Sequence, residues 1–292
     1  MLIKRKKILF ATLIVVLVLG SCGYIALDRW QRATIFSVEL GEARWAREAP
    51  AGTEMFDLPV ERGQTVRAWY VAAAQPDAPT VLYLHGSRWN LNSSVFRIER
   101  WLDMGYSVLA IDYRGFGESS PRLPSESSAT DDAHAGLREL ARRQPDPAKR
   151  FVYGHSLGGA IAANAVTQGQ VPEYAGLILE STFTTIRDMI TTSKWADIPG
   201  LRWLVTQPFN TLAALQQINV PVLIMHGTGD RVIPHTMSDQ LYAAVTEPKA
   251  SRIVKFDYAS HSGASRDPGY DDAVHAFTKQ ATELHRHKST SL

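Results

Sequence analysis

Arg150-Phe151-Val152-Tyr153-Gly154-His155-Ser156-Leu157-Gly158-Gly159-Ala160-Ile161-Ala162-Ala163 is the stretch that decides how this chain folds. Arg150 to Tyr153 reads as a short buried strand, and Gly159 to Ala163 as a helix of small side chains. Between them stands Gly-x-Ser-x-Gly, a tight turn from strand to helix. Such a turn strains the serine backbone and crowds its neighbours. Gly154 and Gly158 remove the side chains that would clash, and the small residues beyond let the helix approach the sheet. The serine hydroxyl is thereby presented at the carboxyl end of a strand, where it is a candidate nucleophile.

Outward from this turn, short apolar runs alternate with helical patterns. The runs are Met55 to Val60, Val66 to Ala72, Thr80 to Leu84, Ser107 to Ile111, Arg150 to Tyr153, Gly176 to Leu179, Pro221 to Met225 and Arg252 to Phe256. The last six carry Val, Ile and Leu at consecutive positions, as strands covered on both faces do. The first two lack an intervening helix and are expected to form an antiparallel edge. Asn92 is expected to cap a helix with Val95, Ile98 and Leu102 on one face; Ala133, Leu137 and Leu140 mark another, and Val274, Phe277, Ala281 and Leu284 the last. The order β-β-β-α-β-α-β-α-β-(α)-β-α-β-α describes a doubly wound α/β sheet, whose ligands sit at the carboxyl ends of the strands.

The 292 residues are 45% hydrophobic and 21% charged, which excludes disordered, collagen-like and coiled-coil chains. A net charge of +2, with no P-loop and no dinucleotide glycine signature, argues against a nucleic-acid or nucleotide partner. Cys22, the single cysteine, excludes an intramolecular disulfide and a cysteine zinc site. Lys4-Arg5-Lys6-Lys7 precedes a charge-free run from Ile8 to Leu27, which as a helix rises about 30 Å and suits a membrane span. The basic cluster places the N-terminus in the cytoplasm and the bulk of the chain on the other side. Two readings compete with a retained single-pass anchor: a cleaved signal, and a lipoprotein carrying its lipid on Cys22 of Leu19-Gly20-Ser21-Cys22. Residues 1–27 are therefore the anchor or signal, 28–54 a connector, and 55–288 the folded domain.

Five motifs in order carry a resemblance: Leu84-His85-Gly86; Asp112-Tyr113-Arg114-Gly115-Phe116-Gly117; Gly154-His155-Ser156-Leu157-Gly158; His226-Gly227-Thr228-Gly229-Asp230 with Val232-Ile233-Pro234; and Ser260-His261. From about Met55 to Leu284 the chain resembles the α/β-hydrolase superfamily. It is most similar to the serine aminopeptidase and monoacylglycerol-lipase-like branch, including small membrane-anchored bacterial members. The resemblance implies a mostly parallel eight-stranded sheet flanked by helices, with a small lid after the sixth strand, here residues 183–220. It also implies a chain order of nucleophile, acid and histidine. Among histidines beyond Asp230, His235 follows a proline at a helix start, and His275, His285 and His287 lie in the last helix or tail. Only His261 sits in a loop just past a strand. For the acid, Glu180 and Asp230 both fall at strand ends; Asp230 matches the family's usual position and Glu180 a rarer one.

The expected catalytic residues are thus Ser156, Asp230 and His261, with the backbone N–H groups of Leu157 and Ser87 as the oxyanion hole. Where relatives often carry another glycine and small residues, this chain has Arg88 and Trp89. Arg88 reads first as a solvated loop cation and second as a bias toward anionic substrates. Trp89, Trp195 and Trp203 are candidate substrate contacts, the last two from the 183–220 segment, which also carries Pro199, Pro208 and Phe209. Asp112 with Arg114 is expected to pin the Arg114–Gly117 turn. His85, His155 and His226 fall in no metal-ligand spacing and no HExxH is present, so they read as turn or supporting residues, with no metal and no cofactor expected. The expected function is hydrolysis of a carboxylic ester or thioester in a small or lipid-like acyl substrate by a membrane-tethered enzyme. The alternatives are an amidase or aminopeptidase on the same triad, and a catalytically silent binding protein on the same fold.

Overall fold

A computed structural model describes residues 2–39, 41–193, 195–247 and 250–290; Met1 of the N-terminal segment and Lys194 of the expected lid lie outside them. The apolar runs form strands β1 (Glu54–Pro59), β2 (Thr65–Val71), β3 (Thr80–Leu84), β4 (Ser107–Ile111), β5 (Arg150–His155), β6 (Gly176–Glu180), β7 (Val222–Gly227) and β8 (Arg252–Phe256). They make one eight-stranded sheet in the order β1-β2-β4-β3-β5-β6-β7-β8. β1 pairs antiparallel with β2, and β2 with β4, as the edge pattern predicts. All other neighbours are parallel. Every residue of β3, β4 and β6 is buried, which accounts for their unbroken apolar composition. β3 lies between β4 and β5, so the winding reverses there. In such sheets a crevice opens where the order reverses, outside the carboxyl ends of the strands.

Helices α2 (Val95–Asp103) and α8 (Tyr270–Thr290) cover one face, and α3 (Glu126–Arg143), α4 (Leu157–Ala165), α6 (Thr211–Leu215) and α7 (Thr236–Ala243) the other, while the short α5 (Ile186–Thr191) lies in the 183–220 segment. α3 begins with a reciprocal Ser125–Ser128 capping box and buries Ala133, Leu137 and Leu140. α8 buries Val274, Phe277 and Ala281 at helical spacing. One local expectation fails. Asn92 caps nothing: it lies within a 3-10 turn, Leu91–Ser94, and its amide donates to the Arg47 carbonyl at 3.0 Å. The Leu91 N–H is instead anchored by Asp112 at 3.0 Å, and the helix starts only at Val95. Arg114 and Asp112 meet the turn through separate partners. Arg114 is fully buried against Asp132, 2.6 Å away, and also reaches Glu61 and Gln64. Asp112 serves the Leu91 loop, while its carboxylate packs where a side chain on Gly117 would stand, 2.0 Å from that Cβ position.

The N-terminal helix α1 runs without interruption from Leu2 to Phe36, so no break marks residue 27. Its apolar side chains from Leu9 to Leu19 stand exposed, and it is long and apolar enough to cross a membrane. Its last two turns are built into the domain. Arg32 donates to the Pro124 carbonyl at 2.8 Å, the Gln31 amide donates to the Leu204 carbonyl at 2.7 Å, and Asp28 accepts from Gln207 at 2.8 Å. Phe36 is buried, packed edge-on to Phe209 at 5.9 Å. The Phe36 carbonyl accepts from the Arg88 N–H at 2.9 Å, which ties the end of α1 to the loop after β3.

Candidate active site

Ser156 is the residue between β5 and α4, with φ 55° and ψ −122°, a backbone conformation that side chains rarely adopt. The neighbours hold it there. Its N–H donates to the Glu180 carbonyl at 2.9 Å, and its carbonyl accepts from the Thr182 hydroxyl at 2.8 Å. A Cβ on Gly154 would stand 2.3 Å from the Gly158 carbonyl oxygen, and one on Gly158 would stand 2.1 Å from that of Leu84. The two glycines are therefore required by the close passage of α4 over β5 and β3.

His261 lies in the loop after β8, with Nε2 3.0 Å from the Ser156 Oγ. Its Nδ1 is 2.8 Å from Asp230 Oδ2. With the carboxylate ionised, Nδ1–H donates to it, leaving Nε2 to accept the serine proton. The Asp230 side chain is fully buried beyond β7. Its Oδ1 accepts the Val232 and Ile233 N–H groups at 2.8 and 3.0 Å. The His226 Nε2–H is shared between Asp230 Oδ2 and the Ile233 carbonyl, 3.1 Å from each. Burial alone would raise the Asp230 carboxyl. The hydrogen bonds from His226 and His261 outweigh it and hold the group well below its ordinary value of 3.8.

Leu157 N–H opens α4, where the helix dipole is positive, and Ser87 N–H follows Gly86. A Cβ on Gly86 would be 3.3 Å from the Ser156 Cβ, so this loop passes directly beside the serine. Among the described residues neither N–H is spent on a turn, loop or side-chain acceptor. Both are thus available to a third oxygen.

Glu180, the other acid considered, ends β6 and is fully buried without reaching His261. It accepts the Tyr153 and Tyr270 hydroxyls at 2.7 and 2.9 Å, and Arg97 Nε stands 3.7 Å away. Arg97, itself 5% exposed, donates to His155 Nε2 at 3.0 Å. Burial, the Arg97 charge and the His261 ring push His155 far below the ordinary histidine value, so its ring is neutral. The His261 carbonyl lies 3.1 Å from the same His155 nitrogen. His85 donates from Nδ1 to the Gly86 carbonyl at 2.7 Å. Among the described residues no cluster could hold a metal ion.

Two cavities meet at Ser156, and both also touch Ser87. One, of about 830 Å³, is lined by Arg44, Arg47, Arg88, Arg97 and Arg266 and, among the described residues, by no Asp or Glu. The other, of about 290 Å³, is apolar, with Trp30, Ile35, Phe183, Met189, Trp195 and Leu201 in its wall. Trp89 lines the first and packs edge-on to Trp45 at 6.0 Å. Trp195 lines the second against Trp30, at 5.4 Å. Trp203 lines neither; it is 67% exposed under the Arg202 guanidinium. The α1 contribution to the apolar wall, the convergence of Arg44 and Arg266, and the His226 contact carried no signal in residue spacing.

Residues 75–214 match the family described as serine aminopeptidase, S33. An uncharacterised protein of Mycobacterium tuberculosis is 30% identical over 259 residues, covering 87% of this chain and 89% of that one. A lysophosphatidylserine lipase of Rattus norvegicus is 32% identical over 237 residues, which is 75% of this chain and 56% of the lipase. Among solved structures, a Pyrococcus furiosus esterase superposes with a TM-score of 0.66 at 19% identity, covering 83% of this chain and 97% of that chain. A Pyrococcus horikoshii acylaminoacyl peptidase gives 0.56 at 16% identity, covering 77% and 40%. At such identities these two likenesses are of fold.

Proposed function

The chain belongs to the α/β-hydrolase superfamily, and we propose that it is a serine hydrolase cleaving carboxylic ester or thioester bonds through an acyl-enzyme. The observation that carries this reading is the continuous path Ser156 Oγ, His261 Nε2, His261 Nδ1, Asp230 Oδ2, at 3.0 and 2.8 Å. Ser156 Oγ attacks the carbonyl carbon while His261 Nε2 takes its proton, a general-base contribution of about 10²–10⁴ in rate. Asp230 holds the imidazole in the required tautomer and stabilises the cation formed. The Leu157 and Ser87 N–H groups receive the developing oxyanion, each donor worth about 10²–10³. His261 then returns the proton to the leaving oxygen or sulfur, the acyl-enzyme forms, and water activated by the same nitrogen releases the acid.

The serine aminopeptidase match favours amide cleavage as a second reading. An aminopeptidase holds a protonated amine, however, and among the described residues no carboxylate lines either cavity while arginines line one. Ester cleavage also agrees with the name of the lysophosphatidylserine lipase relative. A silent binding protein would have no use for a hydrogen-bonded triad beside two unspent N–H donors. We further propose that α1 is retained as a single-pass anchor through residues 8–27, holding the domain, residues 55–288, on the non-cytoplasmic side. The packing of Gln31, Arg32 and Phe36 into the domain argues against cleavage beyond Gln31 and leaves lipidation at Cys22 as the alternative anchor. The test is turnover of a short-chain ester by the full chain and by His261→Ala. The variant is expected to fold normally and lose about 10²–10⁴ in kcat; near-normal turnover would reassign the base.

A further inference from the structure

The loop that carries the Ser87 N–H is held by the end of the N-terminal helix. We propose that this helix end is a working part of the catalytic site: residues 36–39 clamp Arg88 in a strained turn and thereby keep the Ser87 N–H on the oxyanion. This deepens the serine-hydrolase reading and rests on it.

Arg88 is the middle residue of a three-residue turn in which the Trp89 N–H donates to the Ser87 carbonyl at 3.3 Å. Its φ of 85° belongs to the rare positive-φ form of that turn, which an L residue keeps only under constraint. The constraint comes from α1. The Arg88 N–H donates to the Phe36 carbonyl, and the Arg88 carbonyl accepts from the Glu39 N–H, both at 2.9 Å. Among the described residues no other hydrogen bond joins the backbone of Ser87, Arg88 or Trp89 to a distant segment. The peptide plane between Ser87 and Arg88 is rigid, so fixing the Arg88 N–H fixes the Ser87 carbonyl with it. Only the two torsions of Ser87 then separate that plane from the Ser87 N–H. On the other side of Ser87 stands Gly86, whose Cβ position is 3.3 Å from the Ser156 Cβ.

The clamp has a firm base. α1 ends at Phe36, and Ser37 turns the chain at φ 46° while its N–H donates to the Ala33 carbonyl at 3.0 Å. The Phe36 ring is fully buried, 5.9 Å from Phe209 and 6.4 Å from Phe116. Phe116 packs edge-on to His85 at 5.0 Å, at the start of the same loop. Farther along, the Arg47 N–H donates to the Asn92 carbonyl at 3.0 Å, so the connector follows the loop beyond Trp89. Thr34, Ile35 and Ser37 reach the cavity wall shared with Ser87 and Ser156. An oxyanion donor stabilises the transition state only when it is already in place, because a donor that must reorient forfeits what it supplies. A segment that precedes the first strand therefore completes the site.

The test uses the full chain in neutral detergent micelles with 4-nitrophenyl butyrate as substrate. The inhibitor is a trifluoromethyl ketone, whose adduct with Ser156 places an oxyanion where the tetrahedral intermediate has one. Arg88→Val, whose β-branched side chain resists positive φ, is expected to lower kcat about 10- to 100-fold, with KM changed less than about threefold. Arg88→Gly, the conservative variant for that φ, is expected to restore kcat to within about threefold of wild type. From the α1 side, Glu39→Pro removes the N–H that holds the Arg88 carbonyl, and Phe36→Ala loosens the helix end. Each is expected to lower kcat about tenfold. In the three slow variants the inhibition constant should rise by the factor that kcat/KM falls, which a mere loss of folded protein would not produce. Arg88→Gly as slow as Arg88→Val would give the role to the guanidinium and overturn the proposal. A wild-type inhibition constant in either Glu39→Pro or Phe36→Ala would overturn it too, leaving the serine-hydrolase reading standing. A wild type that turns over no ester would overturn both.

Discussion

Asp230 and Glu180 stand at the ends of neighbouring strands, with both side chains fully buried, yet their surroundings are opposite in kind. Asp230 faces two imidazoles and two backbone N–H groups. Glu180 faces two phenols and a guanidinium. An imidazole can gain and lose a proton near neutrality, so a carboxylate beside it can stabilise a charge that comes and goes. A guanidinium never changes charge, and burial followed by the Glu180 charge drives both tyrosines further from ionisation. Glu180 is thus held in a fixed network beneath the site. The same functional group at the same kind of strand end does different work because of what its oxygens meet.

The largest effect that would break this contrast is on turnover. Asp230→Asn is expected to lower kcat by about 10⁴, because the amide favours the wrong imidazole tautomer. Circular dichroism at pH 7 should be unchanged while the unfolding midpoint falls by the lost carboxylate contribution, and a fall in kcat of less than tenfold would move the acid elsewhere. Glu180→Gln should act on stability instead. It leaves Arg97 buried without its counter-charge and should lower the unfolding free energy by about 3–5 kcal/mol in denaturant titration. Turnover per folded molecule should fall far less than in Asp230→Asn. A well-folded but inactive Glu180→Gln would erase the distinction.

The smallest effect sharpens it. Asp230 has a depressed folded-state pKa, so its contribution to stability is present above its ordinary value of 3.8 and is lost as pH falls toward the lower folded value. Wild type should therefore lose stability in that acid window relative to Asp230→Asn, whose amide does not titrate. Parallel loss in the two proteins would show that the Asp230 carboxyl is not perturbed as its partners require.

What could be read in residue order was local. Consecutive Val, Ile and Leu marked the strands because both faces of a parallel sheet are covered, and Gly154 and Gly158 marked the turn because no Cβ fits there. His261 was visible because it sits just past a strand and beyond the acid. What escaped depends on contacts between distant segments. The Asn92 cap fails because Asp112, 21 residues away, takes the Leu91 N–H and shapes a 3-10 entry. Arg114 finds Asp132 across a helix start, and nothing in its own motif names that partner. Trp203 and Trp195 occupy one segment, yet one faces solvent and the other the cavity. Arg44, from the connector, and Arg266, from beyond β8, line one cavity.

Everything proposed for this chain turns on Ser156 as the nucleophile, made reactive by His261. The most direct measurement is labelling of the full chain with a fluorophosphonate, followed by mapping of the modified peptide by mass spectrometry. One adduct is expected, on Ser156, absent from Ser156→Ala and strongly slowed in His261→Ala. An adduct on another residue, or equal labelling of Ser156→Ala, would contradict it.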